Sequence, residues 1–345
     1  MERKSFAIGN KTIGDGKVLI QSMGDRKTTR IDELVALTDD LARMGLDMMR
    51  FSVLDREDAA ALSQIKKAVS VPVIADIHFD TSLALAAIEA GADKIRINPG
   101  NVNSESGLRE VIAQAKAKGI AMRIGVNSGS LNKYRGKGGT PVDDYFLALD
   151  ETLSLFREMD FDRIVLSLKS SSPEMTYALY KRAYDTYPYP LHVGLTESGF
   201  GVMGSMKSAI AMKDLLSEGI GDTIRISLAD DRREEIRACK TLLKALGIRK
   251  DLPELVVCPT CGRTLIDLKD ISREVAKRLD YVFKPVKVAV MGCPVNGIGE
   301  ARDSDVGIAG SGKKDVYLLF SKGHPLGTYE KEEALARLFD FIEAF

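Results

Sequence analysis

The sequence predicts a TIM barrel, an eight-stranded parallel β-barrel with outer helices, followed by a small α/β iron-sulfur domain. Residues 18–246 alternate short apolar, β-branched runs with helical patterns, in units of roughly 25 to 40 residues. Polar side chains follow these apolar runs, and three of the four cysteines fall within residues 258–300. Eight strand–helix units favour a barrel over the alternative, a doubly wound open sheet, which more often stops at five or six strands.

The predicted strands are short apolar runs, and each precedes a segment of helical length. They are residues 18–23, 48–53, 71–76, 94–97, 121–126, 163–169, 191–195 and 223–228. In the first helix, Ile31, Leu34 and Leu41 lie on one apolar stripe. Thr29 and Asp32 have the spacing of a capping box, which predicts the start of this helix.

A linker separates the barrel from the second domain. Gly247, the charged residues 249–251 and Pro253 end the eighth helix, which predicts domains at 1–250 and 251–345. The predicted elements of the second domain are a helix at 272–279, strands at 286–291 and 316–320, and a closing helix at 331–345. Cys239 shares an apolar stripe with Ile236 and Leu243, so we expect it to pack in the barrel core.

Composition limits the classes of function. A chain of 345 residues with 45% hydrophobic residues is long enough for two domains. No apolar stretch approaches the length of a bilayer span, and the first residues lack the apolar run of a secretion signal. We therefore expect a cytoplasmic protein with reduced thiols and no membrane partner. Lysine plus arginine and aspartate plus glutamate each total 49, so the net charge does not indicate a nucleic-acid partner.

The cysteines outside the barrel predict a metal centre. Cys258 and Cys261 form a C-x-x-C pair, and Cys293 follows a separate apolar run. A structural zinc or a simple electron-transfer cluster normally has four soft ligands, so a 4Fe-4S cluster here would need another group at its fourth iron. Glu300, in a glycine-rich loop, is the candidate ligand. The alternatives are a zinc site completed by His324 and a redox dithiol.

The ends of the predicted strands carry a set of polar residues. Strand carboxyl ends form the active site of a TIM barrel. Strand-end cations, together with Lys207 at the start of the seventh helix, would therefore face one mouth. Clustered cations repel each other unless an anion lies between them, which predicts a phosphate or diphosphate ligand. The strand-end set includes Gln21, Ser22, Arg50, Ser52, Asp76, His78, Arg96, Asn98, Arg123, Asn127, Lys169, Glu197, Arg225 and Ser227.

Single members of this set have simpler interpretations. Any one cation could form a surface ion pair, Asp76 could pair with a barrel arginine, and His78 could be a structural histidine. Glu197 follows a strand and faces the expected cationic pocket, where a proton donor would be useful.

Several motifs together resemble the 4-hydroxy-3-methylbut-2-enyl diphosphate synthases of the methylerythritol phosphate route to isoprenoids, in their short bacterial form. The resemblance covers nearly the whole chain. The motifs are Gln21-Ser-Met, Ala75-Asp-Ile-His-Phe-Asp, Arg96-Ile-Asn-Pro-Gly-Asn, Arg123-Ile-Gly-Val-Asn, Lys207-Ser-Ala-Ile, Glu218-Gly-Ile-Gly-Asp-Thr, Cys258-Pro-Thr-Cys-Gly-Arg and Val295-Asn-Gly-x-Gly-Glu-Ala.

The resemblance implies a reductive ring opening of 2-C-methyl-D-erythritol 2,4-cyclodiphosphate with two electrons from flavodoxin or ferredoxin. It implies a 4Fe-4S cluster held by Cys258, Cys261, Cys293 and Glu300. It also implies a cyclodiphosphate site and a group of catalytic residues near the reacting hydroxyl, in a head-to-tail homodimer. The implied substrate-binding residues are Arg50, Asp76, His78, Arg96, Arg123, Lys169, Lys207, Arg225 and Ser227, and the implied catalytic residues are Asn127, Glu197, Asn296 and Glu300.

Two other classes of function remain open at the level of sequence. One is a barrel enzyme that acts on a phosphosugar or a pterin and carries a structural zinc in the tail. The other is a metal-stabilised binding module without redox chemistry. Analysis of the purified protein for iron, acid-labile sulfide and zinc would distinguish both from an iron-sulfur enzyme.

Overall fold

The computed structural model describes residues 2–77, 80–98, 104–127, 129 and 131–345, apart from the side chains of residues 296 and 297. The chain divides into two compact units, Met1–Ile248 and Arg249–Phe345. Each unit has its own hydrophobic core. His78 and the side chain of Asn296 lie outside the described residues.

The first unit contains a barrel of eight parallel strands, which confirms the predicted fold class. The strands are β3 (Leu19–Met23), β4 (Met48–Ser52), β5 (Val73–Asp76), β6 (Lys94–Ile97), β7 (Ala121–Asn127), β8 (Ile164–Lys169), β9 (His192–Val193) and β10 (Thr223–Ile224). They follow the order β8-β7-β6-β5-β4-β3-β10-β9 in the sheet, and a parallel bridge between Leu166 and Leu191 joins the two ends of the sheet. β9 and β10 are shorter than predicted.

A helix follows each barrel strand. The helices are α1 (Ile31–Arg43), α2 (Arg56–Ala68), α3 (Thr81–Glu89), α4 (Glu105–Lys118), α5 (Pro141–Glu158), α6 (Pro173–Thr186), α7 (Gly201–Ser217) and α8 (Arg232–Ala245). The predicted capping box is wrong, because α1 begins at Ile31 with Arg30 at the N-cap and no side-chain cap. Thr29 therefore precedes the N-cap. Within the described residues, no helix combines the length and hydrophobicity that a membrane span requires.

An amino-terminal hairpin, which the sequence analysis did not predict, closes one end of the barrel. β1 (Phe6–Ile8) and β2 (Lys11–Ile13) are joined by a two-residue turn in which Gly9 has φ of 56°. The hairpin residues Ile8 and Ile13 pack against inward-facing strand residues and form an apolar floor. Those strand residues are Leu19, Met48, Ile74, Ala121 and Val165.

Between the strands and the helices lies the main hydrophobic core. Cys239 of α8 is 1% exposed within this core, as predicted. Burial raises the pKa of its thiol to about 12, so the thiol stays neutral.

The second unit is a five-stranded mixed sheet with helices. Its strands lie in chain order, the first three parallel and the last two antiparallel to their neighbours. The strands are β11 (Glu254–Val257), β12 (Lys287–Met291), β13 (Val306–Gly310), β14 (Tyr317–Ser321) and β15 (His324–Tyr329), and the helices are α9 (Leu268–Leu279), α10 (Pro294–Ile298) and α11 (Lys331–Ala344). The sequence analysis predicted β12, β14, α9 and α11 and missed the other elements.

Candidate active site

Strand register brings the predicted strand-end cations onto the inner face of the barrel. Arg96 of β6 lies beside Asp76 of β5 on one side and beside Arg123 of β7 on the other. Arg123 in turn pairs with Val165, a residue of the apolar floor. Residues side by side on neighbouring strands point to the same face of a sheet, and every second residue along a strand shares that face. The cations therefore line the barrel interior above the floor.

Asp76 is shared by two guanidinium groups. Its Oδ1 accepts a hydrogen bond from Arg96 Nη1 at 3.1 Å, and its Oδ2 lies 3.6 Å from Arg50 Nε. All three residues are buried. The carboxylate thus orients two arginines and offsets part of their charge, which matches the simpler interpretation of Asp76 as a partner of barrel arginines.

Arg123 is the most deeply buried of the predicted cations. It is 1% exposed, and its Nε and Nη1 have no hydrogen-bond partner among the described residues. Burial, followed by the charges of Arg50 and Arg96, lowers the pKa of its guanidinium well below the usual value. A buried charge without a partner is costly, so this environment favours binding of an anion.

Lys94 is a buried interior cation that the sequence analysis missed. It is fully buried, and its Nζ lies 3.7 Å from Met48 Sδ. Burial and the charges of Arg123 and Arg50 lower its pKa well below the usual value. Lys94 lies two residues before Arg96 on the same strand, so strand alternation was the signal that could have identified it.

His192, on β9, is a second buried interior residue that the sequence analysis missed. It is fully buried, and its Nδ1 lies 2.8 Å from Thr223 Oγ1. Its backbone carbonyl accepts a hydrogen bond from Tyr180 Oη at 2.6 Å. Burial and nearby cations lower its pKa well below the usual value, so it remains neutral and does not add charge to the interior.

Gly125 on β7 and Gly194, directly after β9, leave space for long cationic side chains. A Cβ at Gly125 would lie 3.1 Å from Arg96 Nε, and a Cβ at Gly194 would lie 3.1 Å from Lys169 Nζ. Burial of the Lys169 ammonium, followed by the charges of neighbouring arginines, lowers its pKa well below the usual value. The glycines therefore allow these two cations to lie along the inner face.

A helix residue that the sequence analysis did not identify holds Arg225 in place. Arg225 donates to both carboxylate oxygens of Glu235, on α8, at 3.1 and 3.0 Å. Glu235 also accepts from Ser22 Oγ at 2.7 Å and pairs with Arg232. Burial would raise the pKa of Glu235, but the charge and hydrogen bonds of Arg225 and Arg232 hold it below the usual value. Arg225 is thereby fixed in one orientation.

Met23 marks the point where two of the cations meet. Arg50 Nη2 lies 2.8 Å from Met23 Sδ, and Arg225 Nη1 lies 3.5 Å from the same sulfur. The two guanidinium groups approach from β4 and from the segment after β10, on either side of β3. The cations therefore converge across strands, as a single anion site requires.

The loop after β9 contains Glu197 in an unusual conformation. Its backbone φ is 55°, a value that residues other than glycine rarely adopt, and its side chain is exposed. The next residue, Ser198, donates from Oγ to the carbonyl of Ser227 at 2.5 Å, which joins the loops after β9 and β10. Such strained residues cluster at functional sites.

Two other predicted residues differ in their surroundings. Asn127 ends β7 directly beside Lys169 of β8. Lys207 lies half-buried on α7. Within the described part of the chain, no hydrogen bond or ion pair joins it to the other residues of the strand-end set. The structure therefore brings together Arg50, Asp76, Arg96, Arg123, Lys169 and Arg225, whereas Lys207 remains outside this connected set.

In the second unit, two predicted metal ligands follow neighbouring parallel strands. Val257 of β11 lies beside Val290 of β12, and Cys258 and Cys293 come shortly after these positions. Gly292 N–H donates to Cys258 Sγ at 3.1 Å. Both cysteines are buried, whereas Cys261 is exposed.

Arg263 links the remaining predicted ligands electrostatically. Its backbone and side-chain hydrogen bonds lower the pKa of the Cys261 thiol. The pKa of Arg263 is raised by its hydrogen bond to Cys261 and by the charges of Cys261, Cys293 and Glu300. One guanidinium is thus within electrostatic reach of three predicted ligands.

The donor set fits an iron-sulfur cluster in its chemistry, because it consists of three thiols and a carboxylate. In the conformation described, no three or more His, Cys, Asp or Glu side chains of the described residues are close enough together to hold a metal ion. His324 lies exposed at the start of β15.

Solved structures with the same fold include dihydropteroate synthases. The enzyme from Stenotrophomonas maltophilia has a TM-score of 0.50 and 15% identity, covering 67% of this chain and 92% of its own. The Xanthomonas albilineans enzyme has a TM-score of 0.50 and 11% identity, covering 71% and 98%. At this level of identity, these similarities support the barrel fold but no particular activity or ligand.

Sequence relatives are far closer. A relative from Clostridium perfringens is 45% identical over 345 residues, covering 99% of this chain and 98% of its own length. One from Caldanaerobacter subterraneus subsp. tengcongensis is 43% identical over 346 residues, covering 99% and 96%. Both are named 4-hydroxy-3-methylbut-2-en-1-yl diphosphate synthase (flavodoxin). Residues 3–240 match the GcpE TIM-barrel domain and residues 254–344 match the GcpE protein C-terminal domain. The chain therefore belongs to the GcpE family of enzymes, the 4-hydroxy-3-methylbut-2-en-1-yl diphosphate synthases, which are oxidoreductases.

Proposed function

We propose that the chain converts 2-C-methyl-D-erythritol 2,4-cyclodiphosphate to 4-hydroxy-3-methylbut-2-enyl diphosphate in isoprenoid biosynthesis. The reaction takes up two electrons and two protons, opens the ring at a carbon–oxygen bond to the diphosphate, and releases the hydroxyl as water. The observation that carries this proposal is the excess of buried cations over carboxylates in the described part of the barrel, where two guanidinium nitrogens of Arg123 have no partner among the described residues. A cyclic diphosphate supplies the missing negative charge.

The interior cations would bind and orient the diphosphate. Arg123 would donate from the barrel interior, and the Arg50 and Arg96 pair would donate from the orientation that Asp76 imposes. Arg225 would donate from its fixed position beside Glu235. The full proposed substrate set is Arg50, Asp76, His78, Arg96, Arg123, Lys169, Lys207, Arg225 and Ser227.

Glu197 is the proposed proton donor to the departing hydroxyl. Its exposed carboxyl can exchange protons with solvent, and the backbone conformation of its loop is constrained by the contact between Ser198 and Ser227. Asn127, beside Lys169, and Asn296 are the proposed hydrogen-bonding partners of the same hydroxyl.

Cys258, Cys261, Cys293 and Glu300 are the proposed ligands of a 4Fe-4S cluster. When bound, such a cluster supplies single electrons to the substrate. Of the four groups, the Glu300 carboxylate would hold iron least tightly, because thiolates bind iron more tightly. Arg263 would stabilise the thiolates by its positive charge.

Flavodoxin is the proposed electron donor, since the relatives' names specify it. We also propose a cytoplasmic location, which keeps the ligand thiols reduced. A head-to-tail homodimer is the proposed assembly. In a TIM barrel a helix runs antiparallel to the strand before it, so the end of α8 lies at the barrel face opposite the cations.

Anaerobic purification tests the proposal. We expect a brown protein with iron and acid-labile sulfide in the ratio of a 4Fe-4S cluster, which turns over the cyclodiphosphate when supplied with a reductant. A colourless protein with one stoichiometric zinc would instead support a barrel enzyme with a structural metal and would overturn the proposal.

A further inference from the structure

We propose that Arg263, Lys313 and Lys314 form a docking surface for an acidic electron-donor protein. The inference rests on the proposed function, because it assigns to this surface the delivery of the two electrons. Lys313 and Lys314 lie in residues 310–315, a segment that begins at the last residue of β13 and leads to β14 and is here called the basic turn.

The basic turn packs against the segment that carries Cys293. Ala309 of β13 lies beside Met291 of β12, which brings Gly310 next to Gly292. A Cβ at Gly310 would lie 2.4 Å from the Gly292 carbonyl oxygen and 3.6 Å from Cys293 Cα. Only glycine permits so close an approach. The turn therefore starts in direct contact with the backbone of a proposed iron ligand.

Its other end contacts the segment that carries Cys261. Asp315 N–H donates to the carbonyl of Leu265 at 3.2 Å, and Thr264 N–H donates to the carbonyl of Cys261 at 3.1 Å. Thr264 also touches the Cys293 segment, since a Cβ at Gly292 would lie 2.4 Å from its Oγ1. The basic turn and both cysteine segments thus form one continuous surface.

This surface is positively charged. Lys313 and Lys314 are exposed, and no ion pair to either occurs among the described residues. Arg263 is also exposed, and Asp315 is the acidic neighbour of the two lysines. Leu265 is 45% exposed and adds an apolar contact. Charges around a small apolar centre suit a transient electron-transfer complex, in which electrostatic attraction steers the encounter.

The position favours a protein donor over other occupants. A partner that is seated on the basic turn would be separated from the proposed cluster by the thickness of one loop, since Gly310 touches the Cys293 segment. Exposed lysines without partners contribute to association without loss of an existing ion pair. A second copy of this chain is the competing occupant, and the experiment below distinguishes it.

The test uses the holoenzyme with the double variant Lys313→Glu/Lys314→Glu. Its control is Lys67→Glu/Lys118→Glu, which makes the same change in net charge at exposed lysines of the barrel unit. The dissociation constant for flavodoxin is measured at low and high salt. We expect at least about tenfold weaker binding than in the control at low salt, with the difference shrinking at high salt because ions screen exposed charges. Lys313→Arg/Lys314→Arg should bind as the wild type does.

Equal flavodoxin affinity in the Glu variant and its control would overturn the proposal. A change in dimer dissociation with unchanged flavodoxin affinity would also overturn it and identify a second copy as the occupant. The ratio of flavodoxin-driven to dithionite-driven turnover should fall in the Glu variant at subsaturating flavodoxin. If the wild type lacks iron and sulfide and does not turn over with dithionite, the proposed function fails, whereas the measured affinities still decide the docking surface.

Discussion

At Arg123, burial and hydrogen bonding are in conflict unless an anion is present. Two of its nitrogens lack partners among the described residues, and its side chain is 1% exposed. Lysine keeps the charge but loses the planar, bidentate donor geometry. We therefore expect Arg123→Lys to raise the Michaelis constant for the cyclodiphosphate by about 5- to 150-fold, as loss of about 1 to 3 kcal/mol implies.

Steady-state kinetics check this prediction. Arg109→Lys is the matched control, because Arg109 lies half-buried on α4, outside the barrel interior, and pairs with Glu105 and Glu158 at the surface. It should leave the Michaelis constant unchanged. An unaltered constant in Arg123→Lys as well would mean that the anion binds elsewhere.

Glu300 poses a different question at the residue scale, that of an exchangeable iron ligand. Three thiolates can retain a cluster, so Glu300→Ala should keep much of its iron and lose turnover. Glu300→Cys should hold iron well and also be poorly active, because substrate displaces a thiolate less easily than a carboxylate. Iron and sulfide analysis alongside turnover measures both effects, and turnover at the wild-type rate in the cysteine variant would refute the exchangeable site.

Between elements, Glu235 connects α8 to the segment after β10 and to β3. It is 1% exposed and accepts hydrogen bonds from Arg225, Ser22 and the backbone of Leu228. Glu235→Gln leaves the Arg225 guanidinium buried without its counter-charge. We expect a loss of about 3 to 5 kcal/mol in the free energy of unfolding, measured by urea titration with circular dichroism. Glu234→Gln, which removes a half-buried partner of Arg237 on the same helix, should cost less than about 1 kcal/mol.

The pH dependence of this difference has a defined sign. The folded-state pKa of Glu235 is lowered, so its contribution is fully present above the unfolded value of about 4.3. It is lost as pH falls through the folded-state pKa. The stability gap between wild type and Glu235→Gln should therefore be widest near neutral pH and close in acid. A gap that stayed constant from neutral to acidic pH would contradict the ion-pair explanation.

The barrel elements were predictable because each strand lies in a short run that is rich in apolar residues and almost wholly buried. The missed strands of the second unit break that rule. Val306–Gly310 contains two glycines, and His324–Tyr329 contains Pro325 and Gly327 and is a mostly exposed edge strand. Glu254–Val257 directly follows the linker and is only partly buried. Their pairing depends on the neighbouring strands, which local sequence does not specify.

Site residues divide in a similar way. The cations at the strand ends were predictable because they lie near the ends of apolar runs; they are Arg50, Arg96, Arg123 and Arg225. Side chains alternate between the two faces of a strand, so Lys94, two residues before Arg96, was also predictable as an inward-facing cation. Glu235 was not predictable, because it lies in the first turn of a helix, where an acidic residue has an ordinary role beside the helix N-terminus. Its contact with Arg225 depends on the packing of α8 against the barrel.

On the scale of the whole molecule, the proposed substrate residues and the proposed iron ligands belong to different units. The cationic set belongs to Met1–Ile248, and the proposed iron ligands belong to Arg249–Phe345. The chain leaves α8 at the barrel face opposite the cations. We therefore propose that the second unit of another chain completes the site, and a two-fold dimer would complete both sites at once.

Mixing two inactive variants tests this arrangement. We expect Lys169→Ala and Cys293→Ser subunits to recover activity after exchange, because a mixed dimer combines an intact barrel from one chain with an intact cluster unit from the other. Random pairing makes half of the dimers mixed, each with one intact site, so about a quarter of the wild-type activity should return. A mixture of Lys169→Ala with Arg123→Ala subunits is the control. Both defects lie in the barrel, so every dimer in this mixture lacks an intact barrel and no activity should return. If native mass spectrometry shows exchange and activity stays absent, each chain closes its own site, and the path of residues 246–253 must carry the second unit around its own barrel.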